Sequence, residues 1–137
     1  MKEALITVKG YQYIDDDESC IEFKTLGKFG IKNGKAYILY SETEESGATT
    51  DTTIKVFEKE TVLNRSGATE SRMVIAVGKR NSCLYSTLQG NLVLEIYGEK
   101  VSNKLTENGG TLLLEYTLNL NSTPVGRNKI EITVKEV

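Results

Sequence analysis

Between Leu112 and Leu120 the chain alternates without interruption. Leu112, Leu114, Tyr116, Leu118 and Leu120 fall on one side, and Leu113, Glu115, Thr117 and Asn119 on the other. A period of two marks a strand with one buried face. The same period recurs along most of the chain, which contains one proline and no window with the apolar spacing of an amphipathic helix.

Ala4, Ile6 and Val8 alternate with Leu5, Thr7 and Lys9, predicting a first strand over residues 2–14. A polar turn at residues 15–18 follows, then a strand carrying Ile21 and Phe23 that bends near Gly27 and Gly30. Asn33-Gly34, set between apolar alternations, is a strong two-residue hairpin signal. Residues 41–51 are polar and are expected to form a long loop. Further strands are predicted over 53–58, 61–66, 70–77, 80–88, from Gly90 through Ile96, over 112–120, and finally through Ile130, Ile132 and Val134. The result is an all-β domain of on the order of eight to ten consecutive antiparallel strands. Closing them into an up-and-down β-barrel removes the exposed edges; a two-sheet sandwich is the alternative.

The 137 residues suffice for one domain with a sizeable core. Net charge is −2, from 17 basic and 19 acidic side chains dispersed along the chain. That leaves no basic patch for nucleic acid and no apolar run long enough for a membrane helix. The opening residues lack a signal-peptide core, so the expected compartment is cytoplasmic, with Cys20 and Cys83 as reduced thiols. Histidine is absent altogether. Its absence removes Ser-His-Asp and Cys-His catalysis and the commonest transition-metal ligand, so neither an enzyme nor a cofactor is expected.

Arg65 is the residue with the most chemistry to offer. If the two strands around Ala68 pair symmetrically, Leu63 faces Met73, Thr61 faces Ile75 and Arg65 faces Ser71. Leu63, Met73 and Ile75 form the natural inward set, so Arg65 shares their face near one end. An arginine at the lip of an apolar interior can grip a carboxylate or phosphate. The competing reading is that it reaches solvent or satisfies loop carbonyls. A slip of one residue would bring Asn64 inward instead. The acidic residues 15–18 lack the spacing of a calcium loop, and Glu42, Glu44 and Glu45 likewise read as solvated. The seven tyrosines lack the basic neighbours of a base-stacking surface. No tryptophan is present, so the Gly-x-Trp signature of lipocalins is absent.

Several segments in order resemble the YwiB-like family of uncharacterised bacterial proteins. They are Gly27 with residues 37–42, residues 52–56, residues 62–67 including Arg65-Ser66-Gly67, Arg72-Met73-Val74, Tyr85-Ser86-Thr87 leading to Gly90, and residues 109–118. The resemblance implies a calycin/lipocalin-like β-barrel and no established activity. One departure is that Leu88 and Gln89 stand where the family tends to have a proline and an aromatic before the glycine.

The leading expectation is a non-enzymatic barrel holding a small apolar acid. Arg65, Ser71, Leu63, Met73 and Tyr116 are its candidate ligand-binding residues. The alternative is a solid-core scaffold acting through its outer surface or as a homodimer. Leu5, Ile38, Val93 and Leu113, assigned to the outward face, would then supply an apolar patch. No nucleic acid or membrane partner is expected.

Overall fold

The alternating segments all become strands in the computed structural model, which describes residues 1–87 and 90–137 and leaves Leu88 and Gln89 outside. The described residues form β1 (Lys2–Ile14), β2 (Asp17–Lys32), β3 (Lys35–Thr43), β4 (Thr49–Val56) and β5 (Thr61–Gly67). They continue with β6 (Ser71–Ile75), β7 (Arg80–Thr87), β8 (Gly90–Thr106), β9 (Gly109–Leu120) and β10 (Thr123–Glu136). All pair antiparallel in one sheet ordered β6-β5-β4-β3-β2-β1-β10-β9-β8-β7. Nine of these strand pairs are neighbours along that order, and eight of the nine are hairpins in sequence; the other joins the first strand to the last. The sheet curls until β6 and β7 meet. There the closure is sparse: Glu70 and Ser86 of β7 exchange backbone hydrogen bonds at one end, and at the other Val77, just past β6, bridges to Gly98 of β8. The architecture is a nearly closed antiparallel barrel.

The interior is built in rows, because cross-strand partners point the same way. Ala36, Val56, Thr61 and Ile75 are successive neighbours on β3, β4, β5 and β6. The next row is Ile38, Ile54, Leu63 and Met73. Across the barrel, Ile6, Ile96, Leu112, Leu114 and Ile132 complete a packed, fully buried core. Ile38 therefore points inward with no exposed surface, which corrects its assignment to an outward patch. Residues 37–40 are apolar on both faces, so periodicity could not choose between them. The connection expected over residues 41–51 is shorter: β3 runs to Thr43 and β4 starts at Thr49. Alternating threonines at 50 and 52 extend the strand with polar side chains pointing inward, where an apolar pattern could not reveal it.

Both cysteines are free thiols; Cys20 is exposed, and burial pushes the half-buried Cys83 thiol up. Two tyrosines are explained by the outer face of β1 and β10. The Lys129 ammonium lies over the Tyr11 ring at 5.1 Å, and the Arg127 guanidinium over Tyr13 at 5.5 Å, each between direct cross-strand partners. No helix among the described residues is long and apolar enough to cross a membrane.

Candidate functional site: a polar row at the barrel mouth

One step above the two apolar rows, the same four strands carry a different chemistry. Tyr40 on β3 faces Thr52 on β4, Thr52 faces Arg65 on β5, and Arg65 faces Ser71 on β6. The register expected around Ala68 is the one observed, with Leu63 opposite Met73 and Arg65 opposite Ser71. Each of the four is two residues along its strand from an inward apolar side chain, so all four aim into the barrel. Tyr40, Thr52 and Ser71 are buried and Arg65 is half-buried.

This row is rich in donors that lack acceptors. The Thr52 and Ser71 hydroxyls and the Arg65 Nε are buried without a hydrogen-bond partner. So is the Asn128 amide nitrogen on β10, across from Tyr116 on β9. Thr52 stands beside the Tyr40 phenol and eases its ionised form slightly, but the pair lacks the geometry of a full hydrogen bond. Arg65 also has no carboxylate within ion-pair distance: the ion pairs among the described residues are Lys2–Glu136 and Arg80–Glu95. Each buried donor left unmatched costs about 1–3 kcal/mol.

The phenols report the electrostatics. Burial pushes the Tyr40 hydroxyl up to about 12; the Arg65 charge pulls it back in part, and Glu42 adds to the rise. Tyr116 is raised by the same burial and again opposed by Arg65. One guanidinium thus lies within reach of tyrosines on opposite walls, and both phenols remain protonated donors at neutral pH.

Next to this row lies a cavity of about 270 Å³ with Arg65, Met73, Tyr85 and Tyr116 at one side and Leu92, Leu94, Leu118, Leu120 and Val125 forming an apolar wall. A second cavity of about 220 Å³ shares Arg65 and Tyr85 and opens toward Glu42 and Glu44. A larger cleft, about 410 Å³, sits at the opposite end among Lys59, Lys79, Glu58 and Glu60. Its mixed charges sit on chain turns and select no ligand sign. Of the residues expected to bind ligand, Arg65, Met73 and Tyr116 line one cavity and Ser71 stands beside Arg65. Leu63 lies one row deeper, fully packed, and lines neither mouth cavity. Thr52, Tyr40, Tyr85 and the β8–β9 leucines were not foreseen. The alternation of Leu92 and Leu94 with Leu118 and Leu120 was visible, but their meeting with Arg65 requires the curl of the whole sheet.

A profile of the domain of unknown function DUF1934 matches residues 6–132. The chain is 28% identical over 134 residues to the uncharacterized beta-barrel protein YwiB of Bacillus subtilis (strain 168), covering 96% of this chain and 94% of that protein. The crystal structure of the ywiB protein from Bacillus subtilis superposes with a TM-score of 0.83 at 24% identity, over 99% of this chain and 92% of that one.

Proposed function

This chain belongs to the family described as the domain of unknown function DUF1934, and we propose that it is a non-enzymatic binding barrel for a small apolar molecule with an acidic head group. The supporting observation is the row Thr52, Arg65, Ser71: adjacent buried donors, one of them cationic, that no protein acceptor satisfies. A ligand that completes this row must bring oxygen acceptors and negative charge, which describes a carboxylate. The leucine wall beside it accepts the apolar remainder. The packed lower rows confine the ligand to the mouth, so it lies in a shallow cup. The same solid lower core supports a second reading, a scaffold whose mouth stays empty and whose outer surface carries the function.

The test is calorimetric titration with octanoate and, separately, octanol. Octanoate is expected to bind native protein, and Arg65→Leu to weaken it about 10- to 100-fold, the worth of a charge-assisted hydrogen bond. Octanol binding should be weak in both. Equal affinities of the native and Arg65→Leu proteins for octanoate, or no octanoate binding at all, would remove the proposal and leave the scaffold reading.

A further inference from the structure

The longest uncovered backbone in the barrel belongs to β2. It pairs with β1 from Asp17, opposite Ile14, to Phe29, opposite Lys2, with no break in register. With β3 it pairs only from Lys28 to Lys32. Residues 17–27 therefore have a strand on one side alone. An edge of this kind templates pairing with another chain unless it is blunted. Residues 17–27 hold no proline or bulge, and their charged side chains, Asp17, Glu18, Glu22 and Lys24, are of mixed sign and so restrict pairing to registers that match them.

Which backbone groups face that open edge follows from the hairpin. Asn33 and Gly34 have φ of 54° and 76°, the left-handed pair of a type I′ two-residue turn. Such a turn closes on a hydrogen-bonded pair, here Lys32 and Lys35. Alternation along β2 then directs the N–H and C=O of Lys28, Gly30 and Lys32 toward β3. By the same alternation, those of Glu18, Cys20, Glu22, Lys24 and Leu26 face the open side. Side chains near this edge include the 73%-exposed Ile21 and the 69%-exposed Leu26, an apolar exposure that the barrel's own packing does not use.

We infer that this edge pairs antiparallel with the same edge of a second copy, about a two-fold axis at Ile21. Charge decides among the registers that the hydrogen-bonding alternation allows. An axis at Cys20 sets Glu18 against the second copy's Glu22, and an axis at Glu22 sets that glutamate against itself, both repulsive. An axis at Phe23 drives the second copy's Glu18 onto Lys28, whose backbone is already bonded to Leu39. Space is also closed there, since even a Cβ on Gly27 would stand 2.2 Å from the Leu39 carbonyl oxygen. The axis at Ile21 avoids all three conflicts. It sets Glu18 against the second copy's Lys24 twice, Cys20 against its Glu22 twice, and buries Ile21 on Ile21. The result is one sheet continuous through two barrels.

Cross-linking in a Cys83→Ser background tests both the partner and the register. Glu22→Cys would sit opposite Cys20 of the second copy in a hydrogen-bonded pair, with Cα atoms roughly 5.5 Å apart, inside the range a disulfide spans. Mild oxidation should give a covalent dimer on a non-reducing gel, lost on adding Cys20→Ser. Leu26→Cys, which reads the Phe23-centred register, should stay monomeric on the gel. Sedimentation equilibrium of native protein should return about twice 15.2 kDa, and Ile21→Lys, at an exposed position, should return one mass with an unchanged melting profile. A monomeric native protein, a dimeric Ile21→Lys variant, or linkage through Leu26→Cys in place of Glu22→Cys each overturns the inference.

Discussion

Arg65 carries a cost that the proposed binding of an acidic ligand would offset. Its guanidinium is partly withdrawn from water and its Nε has no acceptor, so the empty barrel carries the desolvation penalty. An apolar side chain of similar volume would not. Arg65→Met is therefore expected to raise stability by about 1 kcal/mol in urea unfolding while removing the proposed carboxylate binding; such opposition separates a functional arginine from a structural one. Loss of stability in Arg65→Met would mean that the charge holds the mouth together. Tyr40 gives a second residue-scale expectation. Its folded pKa, about 12, lies above the unfolded value near 10, so the native state holds the phenolic proton more tightly. The associated stability is complete below pH 10 and is lost as the pH rises toward 12, by up to roughly 3 kcal/mol. Unfolding free energies at pH 9 and 11.5 should thus fall more steeply for native protein than for Tyr40→Phe. Parallel slopes would mean that Tyr40 titrates freely.

At the level of strands, legibility followed the chemistry of each face. β9 could be read outright, because its two faces differ in polarity at every position from Glu115 to Asn119. The β5–β6 pairing could be read because a short turn fixes register, and with it the inward aim of Arg65. β3 could not, since Tyr37, Ile38, Leu39 and Tyr40 offer two apolar faces. The mouth was only half visible for the opposite reason. Thr50, Thr52 and Ser71 are buried polar residues, and a pattern of apolar positions assigns such residues to solvent or loops. At Gly27, where a bend of β2 was expected, the structure shows close approach: a Cβ there would meet the Leu39 carbonyl oxygen at 2.2 Å and the Ile6 side chain at 2.5 Å. Gly27→Ala should therefore cost about 1–3 kcal/mol by overpacking, seen as a lower urea midpoint with an unchanged slope. Gly10, with nothing within 4 Å of its added Cβ, is the control in which Ala should be nearly neutral.

On the scale of the molecule, the strand order is a simple meander cut in an unexpected place. Read from β7 through β8, β9 and β10 and then β1 to β6, every spatial neighbour is the next strand in line. The tightly paired junction is β1 with β10, where Ala4 faces Glu136 and the Lys2 ammonium lies 3.4 Å from the Glu136 carboxylate. The weak junction is between β6 and the β7–β8 hairpin, where isolated bridges run from Glu70 to Ser86 on β7 and from Val77 to Gly98 on β8, although a continuous turn of chain joins β6 to β7. The chain thus ends where the sheet is strong and runs on where it is weak. A permuted chain, with Val137 joined to Met1 through a short glycine-serine linker and reopened between Val77 and Gly78, would convert the fold into an uninterrupted meander. Its pairing would become more local, since the β1–β10 strands would meet across a short loop and not across more than a hundred residues. The permutant is therefore expected to fold faster than the native chain in stopped-flow refolding and to keep most of its stability. A permutant that refolds more slowly, or not at all, would show that the turn between β6 and β7 nucleates the barrel and that the sparse bridges beside it matter more than their number implies.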